Sequence, residues 1–237
     1  MIRYLFILLP FIASGQSFVS YSAAAVDGLY CPTVGTPCGE ATTILYSGVT
    51  YNIVEIGDRC WFAENLNYGT RINGGVTQTD NGTKEKWCYN DSEDSCTVYG
   101  GLYQWNEMMN YVTTDSAQGI CPRGWHIPGY AEWNTLINCV SLYSSASGGL
   151  LKEAGLTHWN TPNTGASDTY GFAALPGGAY VSGFGDEGNY GYIWSSTFNP
   201  ASSTYGYPFV FAYNNIGIST GPYLKANAYS VRCIKDL

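Results

Sequence analysis

The spacing of apolar positions changes several times along the chain. Residues 1–13, MIRYLFILLPFIA, carry one basic group at Arg3 and then an apolar run of roughly ten residues. That run is too short to cross a bilayer and has the order of an export leader. Small-residue cleavage sites stand at Ala13-Ser14-Gly15 and Ala23-Ala24-Ala25, and the second bounds a signal peptide of residues 1–25. Residues 26–43 form a Pro-, Gly- and Thr-rich N-terminal extension. In 42–57, TTILYSGVTYNIVEIG, β-branched residues flank Ser47-Gly48 and predict a hairpin. CWFAENLNY (60–68) starts as a buried strand, and a polar Gly/Asn/Thr loop covers 69–83. Helical spacing is predicted over 100–111, where Leu102, Trp105, Met109 and Met108 make a partial stripe. It is cleaner over 130–142, with Tyr130, Trp133, Leu136, Ile137 and Val140 three and four apart, and a short helical turn is predicted at 148–154. From residue 171 onward short apolar runs alternate with Gly/Asn/Ser turns, the mark of strands and long loops. Tyr205, Tyr207, Phe209, Phe211 and Tyr213 share one face by period two. The expected fold class is α+β: two main helices in the middle, and an antiparallel sheet with long loops completed by the C-terminus.

Charge narrows the range of partners. The 237 residues include 18 acidic and 10 basic side chains, a net charge of −8. Such a chain lacks the clustered Lys and Arg needed to displace counterions from nucleic acid or to hold an anionic lipid surface. Neither nucleic acid nor membrane insertion after leader removal is expected. With 16% aromatic and only 12% charged residues, the composition is the opposite of a disordered chain. The eight cysteines of an exported protein are most simply four disulfides. Two local pairs stand out, Cys31 with Cys38 across a Pro/Gly turn and Cys88 with Cys96 across an acidic loop, while Cys60, Cys121, Cys139 and Cys233 must close long loops. Zinc is disfavoured because there is no CxxC pair and the two histidines are far apart.

Six strings then occur in one order: WFAENLNY, KWCYNDSEDSCTVYGGLYQW, CPRGWHIPGYAEWNTLI, YGFAALPGGAY, GYIWSST and YSVRCIKD. Together they resemble the Fibrobacter succinogenes major paralogous domain (FISUMP) family of exported bacterial proteins, from about residue 44 to residue 236. The third unit of the chain is accordingly a domain over 44–237. More distantly, GWHIPGYAEW with a terminal SVRC is similar to the C-type-lectin-like and formylglycine-generating-enzyme folds. That resemblance implies a disulfide-stapled domain in which Cys121 bonds to Cys233, leaving Cys60 to Cys139. One departure is visible: the family usually carries a Ser/Thr-Asp pair after the Pro, where this chain has Gly129-Tyr130 after Pro128.

The chemistry offered by single residues is sparse. His126 and His158 have no Ser or Cys at a recognisable spacing, and no GxSxG, HExxH or phosphate-binding Gly loop is present. The formylglycine-generating reaction needs a reactive Cys pair, whereas here only Cys233 lies in the C-terminal part. The chain is therefore read as no enzyme. Lectins of the resembling fold bind calcium through Glu-Pro-Asn or Gln-Pro-Asp turns, which this sequence lacks. Asp91, Glu93 and Asp94 crowd three carboxylates into four residues as a weak metal candidate, and Asp186-Glu187 is a weaker one. No cofactor is expected unless calcium enters there. Residues 188–224 are dense in Tyr, Asn, Ser and Gly, the composition of adaptable recognition loops. The candidate ligand-binding residues are Tyr190, Tyr192, Asn199, Tyr205, Tyr207, Asn214 and Asn215. The expected function is an adhesin-like, carbohydrate-binding or protein-binding module, secreted or on the cell surface, whose partner is a glycan or another surface protein. The competing class is a structural subunit of a surface layer or filament, self-assembling through the N-terminal extension.

Overall fold

The computed structural model describes residue 31, residues 35–141 and residues 144–237. The expected signal peptide, both cleavage sites and residues 26–30 and 32–34 of the N-terminal extension lie outside the described residues. The strands are β1 (Thr43–Tyr46), β2 (Val49–Ile56), β3 (Arg59–Phe62), β4 (Thr70–Arg71), β5 (Glu85–Lys86), β6 (Tyr103–Gln104), β7 (Trp125–His126) and β8 (Gly177–Tyr180). They continue as β9 (Phe184–Glu187), β10 (Tyr190–Phe198), β11 (Tyr205–Ala212), β12 (Ile218–Thr220), β13 (Tyr223–Leu224), β14 (Ala228–Tyr229) and β15 (Ile234–Lys235). The helices are α1 (Glu93–Tyr99), α2 (Trp105–Met108), α3 (Tyr130–Val140) and α4 (Ser147–Leu151). The fold is mixed α+β and mostly sheet. One sheet has the order β1-β2-β3-β15-β7; the other runs β12-β11-β10-β8-β14-β6, with β13 on β11 and β9 on β8. A small parallel pair, β4-β5, stands apart.

The hairpin forms where its turn residues demand it. Ser47 and Gly48 both take positive φ, 51° and 83°, the two-residue turn whose twist matches the strands on either side. β2 returns through Gly57-Asp58 into β3, pairing Ile56 with Arg59. A Cβ at Gly57 would stand 3.0 Å from Cys139 Sγ and 3.1 Å from Cys31 Sγ, so glycine is required there for space as well as conformation. The last strand, β15, slots between β3 and β7, so the C-terminus does complete a sheet.

α3 follows the apolar stripe read from the sequence. Trp133, Leu136, Ile137 and Val140 are buried, and Trp133 stacks on Phe209 with ring centres 4.8 Å apart. The Gly129-Tyr130 departure does not prevent the helix. Gly129 N–H donates to Glu132 Oε2 at 2.9 Å, and Thr197 Oγ1 takes the orphan N–H of Tyr130 at 2.8 Å. The helix expected over 100–111 is corrected: only Trp105–Met108 is helical, one turn. Tyr103 and Gln104 are recruited into sheet by Tyr229 and Ala228 of β14. Asn110 and Tyr111 at φ 52° and 61° then end the turn. Conversely, α1 begins within the acidic loop between Cys88 and Cys96, with Glu93 and Asp94 in its first turn, where carboxylates complement the helix dipole.

All eight cysteines are bonded. Cys88 pairs with Cys96 and Cys121 with Cys233, in line with the reading above. The other two expected pairs are corrected: Cys31 bonds to Cys139 and Cys38 to Cys60. The reason is the element that each cysteine lies against. Cys38 N–H donates to Glu55 Oε1 at 2.8 Å beside β3, whereas Cys31 sits in the core with Ile56, Trp61 and Val140 at the end of α3. The described part of the extension is thus fastened to the domain at both cysteines. No helix among the described residues is long and apolar enough to cross a membrane.

Candidate ligand-binding face

The seven expected ligand residues do not form one surface. β10 and β11 are antiparallel, and Tyr190, Tyr192 and Trp194 stand opposite Ala212, Val210 and Pro208. Phe209 and Phe211 face the other way, opposite Ile193 and Gly191, and Tyr207 shares their phase. Tyr190 and Tyr192 therefore lie on one side of the sheet while Tyr205 and Tyr207 lie on the other. There Tyr207 meets Tyr130 of α3 edge-on, with ring centres 5.8 Å apart. Asn199 sits at the β10-β11 turn, where its Oδ1 accepts the Ala201 N–H at 2.9 Å. Asn214 and Asn215 occupy the β11-β12 turn; both are exposed, and Asn215 Oδ1 accepts the Gly217 N–H at 2.9 Å.

What the structure assembles instead is a tyrosine cluster on the Tyr190 side. Tyr192 stacks on buried Tyr229 at 4.8 Å and 18°, with Tyr190 beside it at 5.7 Å. Tyr223 stands edge-on to Tyr229 at 5.9 Å. Tyr192 OH donates to Asp186 Oδ2 at 2.9 Å, and Asn227 Nδ2 donates to Tyr229 OH at 2.9 Å. Burial first, then the Asp186 carboxylate, push the Tyr192 phenol above its usual range, which keeps it a neutral donor. Asp186 is exposed and held at φ 71°. It also lines a groove of about 230 Å³ with Val181, Ser182 and Phe184. Half-exposed ring faces bordered by a carboxylate and a carboxamide are suited to stacking on a sugar ring and accepting or donating hydrogen bonds to its hydroxyls. Tyr223, Asn227 and Tyr229 were missed from sequence because β13 and β14 are two-residue strands with no periodic signal; Asp186 was visible only as part of an acidic pair.

A buried cation holds the neighbouring turn. Lys152 is fully buried, and its Nζ donates to the carbonyls of Ala212, Asn215 and Thr164 at 2.9, 3.0 and 3.1 Å. Burial lowers its pKa to about 8. The acidic triplet is engaged differently from a metal site. Arg71 Nε donates to Glu93 Oε1 at 2.8 Å, and Asp91 Oδ1 accepts the Gly74 N–H at 2.7 Å; Asp94 is exposed. Among the described residues, no group of three His, Cys, Asp or Glu side chains is placed to hold a metal ion.

His126 is the centre of a polar staple. Its Nδ1 lies 2.6 Å from Asp236 and its Nε2 3.0 Å from Glu132, which also takes Arg59 Nη2 at 2.5 Å. Arg59 and Glu132 line a cavity of about 240 Å³ with Ile56, Trp61 and Leu136. Both imidazole nitrogens face carboxylates, an arrangement that ties β7, β3, α3 and the C-terminus together. Burial opposes protonation of His126, but the bonds to Glu132 and Asp236 outweigh it and raise the pKa above 6.5. For Glu132 burial is likewise outweighed, here by His126, the Gly129 N–H and Arg59, and the pKa falls below 4.5. The raised imidazole contributes stability in full below its ordinary pKa and loses it as pH rises through the folded value. The lowered carboxylate contributes above its ordinary pKa and loses it as pH falls through its own. The staple is strongest between those ordinary values. Denaturant unfolding at pH 5.5 and pH 8 should show a larger fall in stability for the natural chain than for His126→Gln; equal falls would contradict the assignment.

The family model described as Fibrobacter succinogenes major domain matches residues 54–235. No curated protein and no solved structure matches the chain.

Proposed function

The chain belongs to the Fibrobacter succinogenes major domain family, and from that premise we propose that it is an extracellular, adhesin-like binding module that recognises a glycan and carries out no catalysis. Its four disulfides suit an oxidising compartment outside the cell. The observation that carries the reading is the half-exposed Tyr192, pre-stacked on Tyr229 and anchored to the exposed Asp186. A ring already held in one orientation loses little freedom on binding, which favours affinity. The partners of both histidines are carboxylates among the described residues, Asp236 and Glu132 for His126 and Glu153 for His158, and this argues against catalysis through an activated hydroxyl or thiol. The C-type-lectin-like architecture belongs to the same proposal. Its support is the Cys121–Cys233 bond, which joins the segment before α3 to the end of the chain.

The test is binding of the oxidised chain to a glycan array and to insoluble polysaccharides, with calcium and with chelator. Saturable binding is expected, unchanged by chelator. Tyr192→Ala should weaken it by about tenfold or more, the scale of one lost stacking contact. Tyr207→Ala, on the opposite side of the sheet, should leave it intact. Binding that ignores Tyr192→Ala, or no binding to any glycan, would overturn the reading.

Self-assembly into a surface layer or filament is the second reading, favoured by one observation. Among the described residues β1 is an edge strand, and its Leu45 is 71% exposed, so a second copy can extend the sheet there. A concentration-independent monomer by light scattering would remove that reading.

A further inference from the structure

Away from the tyrosine cluster, a cleft of about 460 Å³ lies beside the β1-β2 turn and the β4-β5 pair; among its lining residues are Ser47, Asn67, Tyr68, Thr83, Lys84 and Lys86. Period-two alternation through Lys84-Glu85-Lys86 puts both lysines on the cleft side and sends Glu85 the other way. There the Glu85 carboxylate accepts the Thr79 N–H at 2.8 Å and the Asn81 amide at 2.9 Å. Among the described residues, no carboxylate side chain belongs to the lining. In a chain of net charge −8 with ten basic residues, two of those ten meet in one cleft.

Lys86 is the more telling of the two. It is 8% exposed, and Asn67 Oδ1 accepts one bond from its Nζ at 2.5 Å. An ammonium carries three donors, and holding its charge away from water on a neutral carboxamide oxygen is costly. Burial lowers its pKa, with the charge of the Glu93 carboxylate working in the opposite direction. An anion entering the cleft would meet this ammonium and that of Lys84. Tyr68, packed on Tyr46 with ring centres 4.9 Å apart, supplies an aromatic surface, and Ser47 and Thr83 supply hydroxyls. Cations, an aromatic ring and hydroxyls around one cleft match a particular ligand chemistry. We propose that this cleft is a second binding site, for an acidic sugar: a pyranose ring carrying a carboxylate or a sulfate.

The proposal rests on the reading of the chain as a glycan binder but uses different residues, so the two separate cleanly. Tri-galacturonate, a sulfated galactose trisaccharide and neutral galactotriose are titrated into the oxidised chain by calorimetry at low and high salt. At least one charged trisaccharide should bind saturably and more weakly at high salt, and the neutral one should not bind at this site. Which charged arm binds identifies the anion. Lys84→Gln, a change at a partly exposed position that spares the fold, should weaken that binding about tenfold, while Tyr192→Ala leaves it unchanged. Equal affinity of the Tyr192→Ala chain for the neutral trisaccharide, indifference to Lys84→Gln, or no binding of either charged probe would overturn it. If Tyr192→Ala alone abolished charged-sugar binding, the acidic sugar would belong to the tyrosine face: this cleft would be excluded and the glycan-binding reading would stand.

Discussion

Replacing Arg232 with Met should lower the unfolding free energy by about 3–5 kcal/mol, the range for removing one partner from a buried charged network. The guanidinium is fully buried. Nε donates to Asn65 Oδ1 at 2.9 Å, Nη2 to the Ala173 carbonyl at 2.8 Å, and Nη1 to the carbonyls of Phe172 and Phe62. Its flat face lies 4.2 Å over the Phe172 ring. Methionine fills the volume but leaves these acceptors buried without donors, and each such group costs about 1–3 kcal/mol. Burial lowers the Arg232 pKa to about 9, with the charges of Asp168 and Glu64 working in the opposite direction. Arg232→Lys should recover little, because an ammonium cannot reproduce a planar fork aimed at two segments of backbone and the Asn65 side chain. Urea unfolding of both variants measures this; a loss below about 1 kcal/mol for Arg232→Met would mean the carbonyls find other donors.

The paired change Cys121→Ser with Cys233→Ser should cost about 4–5 kcal/mol by the chain-entropy model, since the two residues are 112 positions apart. Cys88→Ser with Cys96→Ser, only 8 positions apart, should cost about 2–3 kcal/mol by the same relation. The first bond also joins the segment leading into β7 and α3 to the strand that completes the first sheet, so its loss frees both ends of the domain. Denaturant midpoints of the two double variants should therefore fall in that order. The reverse order would show that native packing, and not the constraint on the unfolded chain, sets the value of each bond.

The parts of this fold that were legible in the sequence are those governed by local chemistry. Ser47-Gly48 announces the hairpin because its turn requires positive φ, and the Trp133, Leu136, Ile137, Val140 stripe announces α3 because only a helix buries that spacing on one side. Where a distant partner decides, local reading fails. Leu102, Trp105 and Met109 have helical spacing, yet β14 draws Tyr103 and Gln104 into a sheet. Cys31 and Cys38 look like a local pair, yet each reaches a different element. The candidate face was divided for the same reason: period two says which residues of β11 share a side, but only the register with β10 says that Tyr192 lies opposite Val210 and away from Tyr207. The tyrosine cluster needed four separate segments to meet, and no pattern within any one of them could reveal it.

The most direct test of the central claim is NMR of the chain with isotope-labelled tyrosine rings, recorded while the best-binding glycan from the array is added. The account predicts that the ring signals of Tyr190, Tyr192 and Tyr223 shift together and saturably while those of Tyr130 and Tyr207 stay in place. Shifts confined to Tyr130 and Tyr207, or no ring shifts during demonstrable binding, would contradict it.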